Sequence, residues 1–326
     1  MSPFGRRRNS GTVGGVDLGG TKIATAVIGS GNEILGAARR PTPTEGGPED
    51  VVSAIAGAME EAASAAGVSP GQLDGIGIGA PGNADPATGT LSGAGNLPGW
   101  SGSFPLGPEL SKALGPRVVI GNDVQVGTMA EFTLGAGRDF DSLLGVFWGT
   151  GVGGGLILGG RPWVGRGRAG EIGHTLVRRG GAKAPNGLRG TVEAYAGRKA
   201  MEAKARREAK RGRKTILFDL MKKRGKESLT SSIWHRAWKK EDELACELLN
   251  RASKALSAGI ASAVNLLDVE AVVLGGGLGV RFGDSLAPEI LEGTGRYLLE
   301  PQRPPTMLVA GLGDEGGVLG ASMLVR

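Results

Sequence analysis

The stretch VDLGGTKIATAVI, residues 16–28, sets a carboxylate, two glycines, a hydroxyl and a lysine between two apolar runs. The flanking Val, Ile and Ala residues suit β-strands, and the paired glycines mark a tight turn between them. Such a turn exposes backbone N–H groups able to gather an anion, and Asp17 and Lys22 add charge of both signs beside them. Read alone, the segment is equally an ordinary hairpin.

The pattern repeats along the chain. GTGVGGG (149–155) and GGGLG (275–279) also follow apolar strands, giving three glycine turns in all. None fits the phosphate-loop pattern G-x-x-x-x-G-K-[ST] or a strand–G-x-G-x-x-G–helix fingerprint. Around the first turn the order is strand, strand, strand, a helix from EDVVSAIAGAMEEAASAAGV, then buried strands in LDGIGIGAPG and PRVVIGNDV. This predicts a mixed sheet with a helix packed on it. A second strand–turn–strand over SLLGVFWGTGVGGGLILGGRPW hints at an internal duplication. A long helix, with Leu244, Leu248, Ala252, Ala255 and Ile260 on its apolar side, then feeds the strand VEAVVLGGGLG. GDEGGVLGASMLVR reads as a closing helix after a glycine turn.

A chain of 326 residues exceeds the usual single core, so two α/β lobes with a cleft between them are expected. The smaller lobe is taken as 1–122, with the helix of about 313–326 packing back on it, and the larger as 123–312. The net charge of +6 favours anionic partners. The single cysteine, Cys246, excludes an internal disulfide and any multi-cysteine metal site, which makes a reducing cytoplasm the default. The basic MSPFGRRRNSG reads as a flexible tail: no apolar signal region follows it, and no run of about 18 apolar residues offers a membrane span.

Polar residues collect where apolar periodicity does not explain them. Asn122 and Asp123 end a buried strand in GND (121–123), where Asp123 is either a base for a substrate hydroxyl or the N-cap of the following helix. GAGNLPGW (93–100) and GRAGEIGH (167–174) contribute Asn96, Glu171 and His174. Such a set suits a polyhydroxylated ligand, whose hydroxyls both donate and accept, or else a series of satisfied loop turns.

In order and spacing, DLGGTK, GAPG (79–82), GNLPGW, GND, GTGVGGG, AGEIGH, EAYA (193–196) and VLGGGLG resemble the ROK family of sugar kinases and repressors, from Val13 to Leu324. The resemblance implies an actin-like ATPase (ribonuclease H-like) fold of two α/β lobes, and transfer of a phosphoryl group from ATP to a sugar hydroxyl, with glucose at O6 the leading substrate. Mannose, allose, N-acetylhexosamines and cyclitols are the alternatives. It implies Asp123 as general base and Asn96, Asn122, Asp123, Glu171, His174 and Glu193 as sugar ligands. Asp17 would orient Mg²⁺ through water, and Gly19, Gly20, Thr21 and Lys22 would face the terminal phosphates. Gly149, Thr150 and Gly151 would hold them from the other lobe, and Gly275, Gly276 and Gly277 would lie near the adenosine. Phosphoryl transfer asks mainly for positioning, charge neutralisation and one base, which such a set supplies. The resemblance also implies a soluble homodimer.

Two departures from the family stand out. Many members bind a structural zinc through three cysteines and the histidine of the E-I-G-H segment; here Ala184, Asn186 and Thr191 stand in the cysteine places, so no zinc is expected and His174 is left to the sugar. Second, residues 198–214 hold nine Lys or Arg. This basic run is either a solvated helix face or an attractor for an anion, the nucleotide or inorganic polyphosphate, which some relatives use as donor. Family repressors carry a DNA-reading helix-turn-helix ahead of the glycine turn, and only sixteen residues precede Asp17 here, so DNA binding is not expected.

Overall fold

Gly15 and Gly77 are register partners on adjacent strands, and a side chain on either would collide with backbone crossing over them. They lie in the first of two units into which the chain of this computed structural model divides; it describes residues 11–326, so the N-terminal tail expected from the sequence falls outside the described residues, save Gly11. The first unit comprises 11–131, 165–168 and 312–326. It contains β1 (Val13–Leu18), β2 (Lys22–Ile28), β3 (Ile34–Pro41), helix α1 (Pro48–Ala65) and β4 (Ile76–Ala80). A small sheet follows, of β5 (Asn83–Asp85), β6 (Thr90–Ser92) and β7 (Ser103–Phe104), then α2 (Leu106–Leu114), β8 (Val118–Asn122) and α3 (Asp123–Thr133).

The main sheet has the order β3-β2-β1-β4-β8, antiparallel through β3, β2 and β1 and parallel from β1 to β8. Successive residues of β1 face opposite sides. Gly14 looks towards Met59 of α1, whose Val51, Ile55, Ala58, Met59 and Ala62 are buried in an apolar core. Gly15 looks the other way. Helix α3 is kept with this unit as far as Glu131 because Val126 sits on Gly79 and Gly121 of the sheet. The expectation of a second lobe opening at Asp123 thus gives way to one in which most of the helix stays on the first sheet.

The second unit spans 132–164 and 169–311. It opens with β9 (Leu143–Trp148), β10 (Val152–Leu158) and β11 (Arg161–Pro162) and continues through α4 (Val192–Ala196), α5 (Arg198–Lys210), α6 (Leu217–Lys223) and α7 (Ser231–Lys239). The long α8 (Glu243–Leu267), β12 (Ala271–Gly275), α9 (Gly276–Gly295) and β13 (Thr306–Val309) complete it. Its sheet, β11-β10-β9-β12-β13, repeats the first in order and in every strand direction. The duplication hinted at by the recurring strand–turn–strand is therefore present as topology. Leu244, Leu248, Ala252, Ala255 and Ile260 of α8 are all buried, and Trp148 of β9 stacks on Phe282 of α9 with ring centroids 6.0 Å apart.

One glycine segment differs from the expectation. GGGLG, expected as a glycine turn after a strand, is instead the end of β12 and the first turn of α9, the strand passing directly into the helix at Gly276, which has φ +77°. A Cβ there would stand 2.7 Å from the Trp148 carbonyl oxygen, so close packing as well as backbone conformation calls for glycine.

After unit two the chain returns to the first sheet as α10 (Gly316–Ser322). The helix backbone runs over the glycine face of β1 and β4: a Cβ on Gly15 would fall 2.0 Å from Val318 O, and one on Gly77 1.7 Å from Ala321 O. Neither obstacle is a flexible side-chain end, so a methyl there must push the helix off the sheet. Gly77→Ala should destabilise the protein by about 3 kcal/mol, at the upper end of typical overpacking. Gly71→Ala, where a Cβ meets nothing within 4 Å, should stay within about 0.5 kcal/mol. Urea unfolding midpoints of the two variants check this contrast.

Candidate active site

In the first unit the expected residues gather at the ends of β1, β4 and β8. The Gly19–Lys22 turn closes with Gly19 N–H donating to Lys22 O at 3.0 Å. It is tied to the end of β3 by Thr42, whose buried hydroxyl donates to Gly19 O at 2.6 Å and whose N–H reaches Thr21 O. Gly20 abuts Asn96: a Cβ at 20 would be 3.1 Å from the Asn96 Cβ. Asn96 itself is exposed.

Asp17 pairs with Gly79 across the β1–β4 ladder, and Gly79 in turn with Gly121 on β8, so Asp17 lies two strands from Asp123 at the same end of the sheet. Burial pushes the Asp17 carboxyl above the ordinary aspartate range; Lys22 opposes that shift and Asp314 adds to it. The start of α10 crowds the carboxylate, for a Cβ on Gly317 would lie 2.7 Å from Oδ2.

Lys22 is engaged within this unit. Its Nζ is 3.0 Å from Asp314 Oδ2, and Arg39 lies 3.4 Å from the same oxygen. The hydrogen bond from Lys22 holds the Asp314 carboxyl below its usual range. With side chains 43% and 65% exposed, the Lys22–Asp314 pair is worth about 0–1 kcal/mol, little against a phosphate competing for the same cation.

The two readings of GND are separated by geometry. Asn122 Oδ1 accepts from Val124 N at 3.0 Å and Gln125 N at 3.2 Å, the N2 and N3 positions of α3, while its Nδ2 donates to Gly82 O. Asn122 is therefore the cap, and Asp123 occupies the first helical position. There its Oδ1 accepts from Val124 N at 2.9 Å. A carboxylate in the first turn is favoured by the unpaired N–H groups around it.

In the second unit the assembly is organised around the start of β10. Glu193 of α4 accepts from Val152 N at 3.0 Å, and its carboxylate fills the space where Gly151 would have a side chain. The short turn Ile172–His174 also packs on Val152, with Gly173 against its carbonyl. Glu171 precedes that turn and His174 ends it, and both are exposed. Glu193, expected as a sugar ligand, is thus tied to the Val152 N–H just after the Gly149–Gly151 turn.

The same backbone is held from α5. Arg198 N–H donates to Gly149 O and Lys199 N–H to Thr150 O, both at 3.1 Å, and the Trp148 indole donates to Ala196 O at 2.7 Å. The Arg198 guanidinium reaches Thr150 Oγ1 at 2.9 Å and Leu229 O at 3.0 Å; burial pulls its pKa down, against the pull of Glu202. Gly277 meets the same neighbourhood: a Cβ on Gly149 would stand 3.9 Å from Gly277 N, and one on Gly277 3.1 Å from the Ser231 hydroxyl at the start of α7. Thr150, Arg198, Ser231 and the opening of α9 therefore form one polar cluster suited to an anion. Ser231 and Asp314 escaped the sequence reading, and Arg198 was read only as part of the basic run 198–214. Arg198 carried a faint signal as the first cation after EAYAG.

Between His174 and Glu193, the residues in the cysteine places have other duties. Ala184 is buried, Asn186 Oδ1 accepts from Leu188 N at 3.1 Å, and Thr191 caps α4 by accepting from Ala194 N at 3.4 Å. Bridges Leu176–Thr191 and Lys183–Arg189 close the loop, and Ala182 N–H donates to the Tyr195 hydroxyl at 3.0 Å. The basic run divides as well. Lys204 pairs with Glu208, Arg206 with Glu202 and Arg213 with Glu247, so much of its charge is neutralised inside the unit.

Comparison with known proteins gives the chain its family. The ROK family model matches residues 13–326. A glucokinase of Thermotoga maritima is 31% identical over 315 residues, covering 96% of either chain. Among solved structures, a ROK hexokinase from Thermus thermophilus superposes with a TM-score of 0.80 at 35% identity, covering 96% of this chain and 97% of that one. A ROK glucokinase from Streptomyces griseus, in complex with glucose and AMPPNP, gives 0.77 at 30% identity, over 96% and 99%. The fold is the actin-like ATPase fold, its two similar sheets each carrying part of the polar set. With the family match running from the first strand to the last residue, the chain belongs to the ROK family.

Proposed function

We propose that this chain is an ATP-dependent sugar kinase that phosphorylates glucose at O6. The observation that carries the reading is the end of β8: Asn122 caps α3, so Asp123 beside it is not needed for that purpose and stands at the strand terminus where a general base is useful. Its carboxylate takes the proton of the attacking hydroxyl as the phosphoryl group transfers. Asn96, Asn122, Glu171, His174 and Glu193 bind the sugar, Glu193 being held by its bond from Val152 N–H. Gly19, Gly20, Thr21, Lys22, Gly149, Thr150 and Gly151, now joined by Arg198, hold the phosphates, while Gly275, Gly276 and Gly277 border the adenosine. The reaction draws on ATP, which fits a cytoplasmic enzyme with a single cysteine.

Asp17 fits a water-mediated role towards Mg²⁺. Its carboxylate is half-buried and its charge disfavoured by desolvation, a condition that a nearby divalent cation relieves. When bound, the ion neutralises charge developing on the transferred phosphate.

Two measurements check this reading. A coupled ADP-release assay with ATP, Mg²⁺ and a sugar panel should give the highest kcat/KM for glucose, with mannose and N-acetylglucosamine behind it; turnover of none of them would exclude a hexose kinase. The second uses the Asp17 shift. Because its folded pKa lies above the unfolded value, the ionised form is destabilising at neutral pH, and the penalty fades as pH falls through the folded pKa. Asp17→Asn should therefore melt above the unliganded wild type at pH 7, by a margin that shrinks towards acid pH, while weakening Mg²⁺-dependent turnover.

A further inference from the structure

Part of the basic run faces a cavity. A pocket of about 410 Å³ lies in the second unit between α5, α8 and the loop before α4. That volume falls within the roughly 300–1,000 Å³ of small-ligand sites. Lys183 from the loop, Lys199, Lys204 and Arg207 from α5, and Arg251 from α8 line it, and no Asp or Glu is among its lining residues. Three separated segments thus bring five cations to one concavity. Lys204 is paired with Glu208 beside the cavity.

The floor is apolar, with Met201 and Leu248 buried beneath the charges. Arg251 is held in place over the Tyr195 ring, its guanidinium carbon 5.6 Å from the centroid. Like charges brought together over a low-dielectric wall repel one another and focus a positive potential into the concavity, and an anion of several charges relieves the repulsion. A purely solvated helix face needs neither the contribution of Lys183 and Arg251 nor a concave apolar floor.

We propose that this cavity binds a multiply charged phosphoryl anion, at a place separate from the nucleotide phosphates. It deepens the kinase reading only in sharing α5 with it: Arg198 faces Thr150, while Lys199, the next residue, lines the cavity. The shared chemistry is a chain or cluster of phosphoryl groups, from a small phosphorylated metabolite or from inorganic polyphosphate.

The test is isothermal titration of the full chain with inorganic tripolyphosphate, with long-chain polyphosphate and with a hexose 6-phosphate, each in the presence of saturating Mg²⁺ and AMPPNP. Tripolyphosphate should still bind, with affinity falling at least tenfold between 50 and 300 mM NaCl, as contact through several cations requires. Lys183→Gln/Arg207→Gln, at two exposed positions, should weaken that binding at least tenfold while its circular dichroism and melting temperature match wild type. Tighter binding of the long chain assigns the source to polyphosphate, and tighter binding of the hexose phosphate assigns it to a metabolite. No binding of any of the three anions to the nucleotide-saturated protein, or equal binding by the double variant, overturns the proposal. Failure to bind AMPPNP counts against the kinase reading instead, and the titrations without nucleotide then decide the cavity by the same double variant.

Discussion

Backbone has to pass directly against backbone in this protein, and the polar residues depend on those contacts. Where α10 crosses β1 and β4, the Val318 and Ala321 carbonyls occupy the space of absent side chains at Gly15 and Gly77. That contact brings the start of α10 onto Asp17. In the second unit Gly173 approaches the Val152 carbonyl in the same manner, and so sets Glu171 and His174 beside the strand that follows the Thr150 turn. The abundance of glycine, 61 residues, is thus concentrated in use as well as in number: it lets strand ends and turns approach closely enough for N–H groups to face a ligand.

Two charges held partly out of water follow from that packing. Asp17 is desolvated under α10, and Arg198 is desolvated beside Thr150. Each is costly to keep charged in the unliganded protein, and each sits where the proposed reaction supplies the opposite charge, a metal ion for the carboxylate and phosphate for the guanidinium. The surrounding hydrogen bonds, from Thr42 to the first turn and from Glu193 and α5 to the second, fix the backbone before any ligand arrives. Preorganisation of this kind is what phosphoryl transfer mainly requires.

The strand ends were legible in the sequence because an apolar run followed by glycine is a local signal. The topological repeat was legible for the same reason, as strand–turn–strand occurs in both halves. Partners distant in sequence were not. Asn122 and Asp123 are adjacent and both suit an N-cap, so only the bonds to Val124 and Gln125 distinguish them. Glu193 enters as a sugar ligand by resemblance, and no local signal tells that Val152, 41 positions away, donates to it. The basic run looked uniform, yet where its cations are placed depends on Glu247 and Arg251 in another helix and Lys183 in a loop. GGGLG was misread as a turn because glycine spacing alone does not reveal that the next residues continue as helix α9.

The role of Asp123 as proton acceptor is the point on which the account turns, and Asp123→Asn tests it most directly. The amide keeps the size and the hydrogen-bond acceptor but not the basicity. Glucose binding, measured by titration calorimetry, should change by no more than a few-fold, while the single-turnover rate of glucose phosphorylation by ATP falls by about 10²–10⁴, the usual contribution of a general base. A variant that binds glucose and transfers phosphate at near the wild-type rate would contradict the account.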